Sequence, residues 1–119
     1  MGKTHAVRVR RVYEDRERGD GTRVLVDRMW PRGMTKGNAD LHEWCKQIAP
    51  STELRKWYDH APERFEEFAR RYREELTEPA RAAALTHLRE LAAGGTLTLL
   101  TASKAVNISA ATVLAAVMR

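Results

Sequence analysis

The stretch Gly21-Thr22-Arg23-Val24-Leu25-Val26-Asp27-Arg28-Met29-Trp30-Pro31-Arg32-Gly33 decides the fold. Val24, Leu25 and Val26 form a continuous apolar run between a glycine-bearing loop and a proline. Such a run reads as a buried central strand, covered on both faces. At Trp30-Pro31-Arg32-Gly33 the chain must leave the sheet, because proline cannot donate to a ladder and glycine permits unusual backbone angles. A strongly basic segment, Arg23 to Lys36, therefore stands at the end of a buried strand.

Upstream, His5-Ala6-Val7-Arg8-Val9-Arg10-Arg11-Val12-Tyr13 is β-prone. Alternation puts Val7 and Val9 on one face and Arg8 and Arg10 on the other, which predicts a strand with one solvated or ligand-facing side. The polar, glycine-bearing segment 14–22 has no apolar period and reads as a mobile loop.

Downstream, Leu41, Trp44, Cys45 and Ile48 recur at i, i+3, i+4 and i+7, which predicts a helix over 39–48 with Asn38 or Asp40 as its cap. Ser51 is placed to cap a short helix through Tyr58, and Pro62 to open a longer one reaching Leu76. The longer helix turns Phe65, Phe68, Ala69 and Tyr72 inward, and its outer face offers the pairs Glu66–Arg70 and Glu67–Arg71. A further helix over 79–93 ends at Gly94-Gly95. Residues 96–102 then read as a second buried strand, and 109–118 as a final apolar helix.

Strands separated by helical segments imply parallel pairing. The expected fold class is α/β: a small three-layer domain with a mostly parallel sheet of three or four strands flanked by helices, spanning 1–119 as one unit. In open α/β sheets, ligands bind beyond the carboxyl ends of the strands. That rule brings 27–33 and 101–107 to one edge.

Composition narrows the function classes. Of the 119 residues, 43% are hydrophobic and 31% charged, as expected of a globular chain. One cysteine, Cys45, forbids an intrachain disulfide and suits a reducing compartment. No apolar run approaches a membrane span, and the amino terminus lacks the apolar core of a signal peptide, so the expected location is cytoplasmic. The net charge is +5, and residues 1–37 carry ten Lys/Arg against five Asp/Glu while 38–119 carry eleven of each. The excess in the first third can attract an anionic partner, and the alternative is a basic protein with no such partner.

The segments VLVDRMWPRG (24–33) and APSTELRKWYDHAPERFEEFARRYREEL (49–76) resemble the YeaO-like family, domain of unknown function 488. The likeness runs from about Val7 to Leu100. It implies a small α/β domain with no assigned reaction. The family's last strand runs into a polar turn with an acidic pair and a His-Asn step. Here Ala105 and Val106 stand where the acids would, and Ile108-Ser109 where His-Asn would. The resemblance therefore implies either a lost or changed activity, or a turn that was never essential to it.

The expected ligand site comprises Asp27, Arg28, Trp30, Arg32, Lys36 and Arg71. Arg28 and Arg32 form a fork for carboxylate or phosphate, Trp30 supplies a wall, and Asp27 orients a ligand or acts as a base. The structural alternative has Asp27 holding the strand end and Trp30 closing the core. Ser51 reads as an N-cap before it reads as an anion site, Arg55 and Lys56 as a solvated face, and Cys45 as buried and inert. His5, His42, His60 and His87 are scattered, and there is no P-loop, GxGxxG, GxSxG or CxxC, so neither metal nor cofactor is expected and no catalytic residue is assigned. Three partner classes follow: a small anionic molecule, nucleic acid held by Arg8, Arg10, Arg11, Arg23, Arg28 and Arg32, or a protein interface built on the apolar tail helix, with oligomeric state undetermined and no membrane.

Overall fold

The computed structural model describes residues 6–119. Strands β1 (Val7–Arg11), β2 (Thr22–Leu25), β3 (Glu43–Trp44) and β4 (Leu97–Thr101) pair in the order β1-β4-β2-β3, all parallel. β4 lies between β1 and β2, with Leu97 opposite both Val7 and Thr22 and Leu100 opposite Arg10 and Leu25. Every residue of β4 is buried, as a run covered on both faces requires. The α/β class, the parallel pairing and a fourth strand are thus in place.

The period of two divides the core. Val7, Val24, Leu97 and Leu99 face one cluster, and Leu25, Leu100 and Val12 face another. The first cluster is roofed by α2 (Thr52–Tyr58), α3 (Phe65–Glu75), α4 (Pro79–Gly94) and α5 (Ala110–Met118). The second has a thinner cover: Ala39 from the one-turn α1 (Lys36–Ala39) and half-buried Trp30, Met34, Leu41 and Trp44.

The helix expected over 39–48 does not form. The His42 N–H donates to the Arg23 carbonyl at 2.9 Å and the Cys45 N–H to the Leu25 carbonyl at 2.8 Å, which draws Glu43–Trp44 onto the sheet edge as β3. Leu41 and Trp44 pack into the second cluster, Cys45 and Ile48 into the first. Residues that serve opposite faces of a sheet mimic a helical stripe in sequence. Thr35 caps α1, while Asp40 ends it at φ 50°, so the cap expected of Asn38 or Asp40 is also corrected.

The side of β1 carrying Arg8 and Arg10 is only partly solvated, with Arg8 about one-third exposed, and ion pairs occupy it. Both guanidiniums approach Asp20, which is fully buried and just precedes β2. Arg23 reaches the same carboxylate at 2.6 Å, and its other nitrogens donate to the carbonyls of Ala39 and Asp40 at the end of α1. The Thr98 hydroxyl closes the group on the Asp20 carbonyl at 2.7 Å. The segment read as a mobile loop is thereby anchored. Its turn needs Gly21, where φ is 62° and an added Cβ would lie 2.1 Å from the Thr96 carbonyl oxygen.

On α3 the pair Glu67–Arg71 forms as expected, while Arg70 turns to Glu67 and Glu74 instead of Glu66. Among the described residues no helix is long and apolar enough to cross a membrane.

Candidate functional site

At the carboxyl edge of the sheet the chain leaving β2 and the chain leaving β4 border a cleft of about 550 Å³. The edge rule brought these two segments together, and Asp27 fastens them. Its carboxylate accepts the Ala102 N–H at 2.7 Å and the Thr101 hydroxyl at 2.9 Å. Burial pushes the Asp27 carboxyl above its ordinary range, more strongly than those two bonds and the nearby Arg55 charge pull it down.

Trp30 both borders the cleft and packs against the thinner core cluster. It meets Trp44 edge to face at 5.3 Å while donating its indole N–H to the Met34 carbonyl. Trp44 in turn donates to the Asp27 carbonyl at 2.8 Å. Two indoles therefore hold the loop between Asp27 and Met34, with Gly33 making its bend at φ 76°. Tyr13 braces the same loop from the turn after β1, its hydroxyl donating to the Arg32 carbonyl at 2.9 Å. The Arg11 guanidinium lies 4.8 Å over the Tyr13 ring and donates to the carbonyls of Ala102 and Ser103.

Arg28 and Arg32 are exposed on this braced loop and line the cleft. From the other side α2 contributes Arg55 and Lys56. Arg55 is half-engaged, donating to the Pro50 carbonyl and the Thr52 hydroxyl. Among the described residues Arg28, Arg32 and Lys56 have no carboxylate partner, whereas Arg8, Arg10, Arg16 and Arg23 each have one. Among the described residues the only lining carboxylates are Asp27, already occupied, and Asp59, the left-handed cap of α2. Between the walls the floor is apolar, formed by Val26, Ala49, Pro50, Tyr58, Phe68 and Ile108.

Asp27, Arg28, Trp30 and Arg32 thus share one cleft, and Lys36 and Arg71 stand outside it. Lys36 opens α1. Arg71 is held by Glu67 at 2.8 Å and stacks 4.3 Å over Trp57. Arg55 and Lys56, read as a solvated face, also border the cleft, Lys56 exposed and Arg55 half-buried. The signal for them was Ala49-Pro50-Ser51: a capped helix start after a buried segment puts the first turn of α2 beside the sheet edge.

Ser51 is a cap. Its hydroxyl accepts the Leu54 N–H, and the Glu75 carboxylate takes both the Ser51 N–H and hydroxyl, filling the place an external anion would take. Tyr72 is core, with its hydroxyl on the Ile48 carbonyl, and burial raises its pKa. Cys45 is buried, and burial together with the Glu43 charge pushes its thiol up, away from a nucleophilic thiolate. His42 accepts the Arg23 N–H, His87 meets Glu43 at 2.8 Å, and His60 lines the cleft, while His5 lies outside the described residues. Among the described residues no three His, Cys, Asp or Glu side chains gather as a metal site.

The turn after β4 completes the cleft with Thr101, Ala102, Ser103, Ile108 and Ser109. Ile108 and Ser109 stand where the resemblance places His-Asn. The Ile108 carbonyl accepts the Tyr58 hydroxyl at 2.6 Å, and Ser109 caps α5.

Comparison with known proteins agrees in kind. The chain is 53% identical over 115 residues to the uncharacterized protein Rv3073c of Mycobacterium tuberculosis, covering 97% of this chain and 95% of the relative. It is equally similar to the uncharacterized protein Mb3100c of Mycobacterium bovis. It is 44% identical over 72 residues to the uncharacterized protein YeaO of Escherichia coli, covering 60% of this chain and 63% of that one. No solved structure matches. Residues 6–119 match the family described as the inactive DUF488-N3 subclade.

Proposed function

The chain belongs to the inactive DUF488-N3 subclade, and from that premise we propose that its cleft binds a small anionic molecule and performs no chemistry on it. One observation carries the reading: Arg28 and Arg32 on one wall and Lys56 on the other are unpaired among the described residues and border the same cavity. Guanidinium pairs with carboxylate or phosphate as a planar fork, and lysine adds a compact charge. The absence of catalysis is supported by the cleft's own groups. Asp27 is spent on Thr101 and Ala102. Ser109 is spent on the Val106 carbonyl and the start of α5. Ala105 and Val106 offer no acid.

The other two partner classes have less support. Of the six arginines available to nucleic acid, Arg8, Arg10 and Arg23 converge on Asp20, and Arg11 is taken by the carbonyls after β4. The apolar tail helix buries Ala111, Val113, Leu114, Ala115 and Met118 in its own core, so its hydrophobicity needs no partner.

The test is a thermal-shift screen with inorganic phosphate, sugar phosphates, nucleotides and small carboxylic acids. A ligand at 100 times its Kd stabilises the fold by about 2.7 kcal/mol. Stabilisation should weaken with salt and should fall in Arg28→Ala and Arg32→Ala. A panel in which no anion moves the melting temperature, or in which the variants respond like the wild type, defeats the reading.

A further inference from the structure

Resting on that reading, we infer that the ligand is a nucleoside monophosphate, a flat base joined through a sugar to one phosphate monoester. The argument starts from exposed apolar surface. Among the described residues only two large hydrophobic side chains are exposed, Tyr13 at 40% and Met29 at 68%, and both line this cleft. Exposed apolar area concentrated at one cavity marks a binding site more than a random surface.

Position sharpens the point. Met29 and Trp30 lie directly between Arg28 and Arg32, and Tyr13 is tied to the Arg32 carbonyl. Cation and aromatic are thus presented together by one braced loop. The Arg11 guanidinium rests over the Tyr13 ring, yet the ring remains exposed enough to offer contact area. A bare anion would satisfy Arg28, Arg32 and Lys56 and leave the exposed Tyr13 and Met29 side chains in water. A ligand with a flat apolar body covers them as well. The cavity, about 550 Å³, falls in the range of small-molecule pockets, roughly 300–1,000 Å³, and far exceeds what one phosphate fills. Three unpaired cations on two walls suit the double charge of a phosphate monoester better than the single charge of a carboxylate.

The decisive experiment is calorimetric titration of the whole protein with AMP, GMP, CMP and UMP, alongside ribose 5-phosphate, adenosine and inorganic phosphate. The best nucleotide should bind about tenfold more tightly than ribose 5-phosphate, a difference of about 1.4 kcal/mol. Met29→Ser, at a mostly exposed position, should weaken that nucleotide and leave ribose 5-phosphate unchanged. If ribose 5-phosphate or inorganic phosphate binds as tightly as every nucleotide, or Met29→Ser weakens both classes alike, the aromatic assignment falls and the anion cleft stands. Binding of adenosine as tight as that of AMP removes the phosphate from the assignment and the anion reading with it. If none of these ligands binds, the phosphate ester assignment is overturned, and the broader screen with carboxylic acids judges the cleft.

Discussion

The Ala102 N–H donates to the Asp27 carboxylate across 2.7 Å, so the chain leaving β4 is fastened to the chain leaving β2 by a side chain where the ladder has ended. The Thr101 hydroxyl repeats the link at 2.9 Å on the second carboxylate oxygen. A carboxylate at the foot of a cationic cleft looks like a catalytic group. Its hydrogen bonds say that it shapes the cavity, by tying together two turns that would otherwise present unpaired polar groups.

This role predicts how Asp27 variants behave. Burial raises its folded pKa above the ordinary 3.8. The native state therefore holds the proton more tightly than the unfolded state, and this group's contribution to stability falls as pH rises from 3.8 through the folded value. Asp27→Asn lacks that dependence, so the stability difference between variant and wild type should move in the variant's favour as pH is raised from about 4 to 7. Asp27→Ala leaves the Ala102 N–H and Thr101 hydroxyl without an acceptor and should cost about 1–3 kcal/mol. Urea denaturation at several pH values checks both. An unchanged difference for Asp27→Asn across the range counts against the buried carboxylate.

Asp20 has the opposite sign. Burial opposes its ionisation, but the Glu17 N–H and the guanidiniums of Arg23 and Arg10 outweigh burial and hold its pKa below 3.8. Its stabilisation is fully present above 3.8 and is lost as pH falls through the folded value. The two aspartates thus act in separate windows on either side of 3.8. Arg23→Met, which removes the buried partner, should cost about 3–5 kcal/mol at neutral pH. Asp20→Asn should flatten the acid limb of the stability curve. A cost for Arg23→Met near that of an exposed arginine would contradict the cluster.

Sequence pattern carried the sheet because β2 and β4 are apolar runs with clear boundaries, and it carried α2 through α5 because Ser51, Pro62, Pro79 and Ser109 mark helix starts by local chemistry. It failed over 36–48, where a two-residue edge strand depends on hydrogen bonds to Arg23 and Leu25 that no local window contains. Half the site was legible for the same reason. Asp27, Arg28, Trp30 and Arg32 are contiguous at a strand end, whereas Arg55, Lys56 and Tyr13 reach the cleft only through tertiary packing. The buried pairing of Arg23 is legible in the sequence itself. An arginine inside a strand covered on both faces must have a buried partner, and Asp20, three residues earlier, was the available one.

The glycines give a paired stability test. Gly21 and Gly33 both have positive φ, 62° and 76°. At Gly21 an added Cβ would meet the Thr96 carbonyl oxygen at 2.1 Å, while at Gly33 nothing lies within 4 Å. Gly33→Ala should cost only the left-handed backbone penalty of about 1–2 kcal/mol. Gly21→Ala adds a backbone clash to that penalty, must displace the join between β2 and β4, and should exceed it clearly. Equal melting temperatures for the two variants would rule out the tight approach at Gly21.

The last prediction separates the cleft from its basic surroundings. Lys36 and Arg71 are cations expected at the site from sequence but lie outside the cavity, and Arg71 is already bound by Glu67 and Trp57. Lys36→Ala and Arg71→Ala should leave the thermal response to anions within error of wild type, while Arg32→Ala reduces it. Tyr13→Phe tests the brace. It removes the donor to the Arg32 carbonyl, an exposed bond worth about 0.5–1.5 kcal/mol, and keeps the ring. The fold should survive with a small loss in melting temperature, and anion affinity should drop because Arg28 and Arg32 are no longer held in place. If Lys36→Ala weakens anions as much as Arg32→Ala does, binding follows the general positive field of the surface and the cleft has no special part in it.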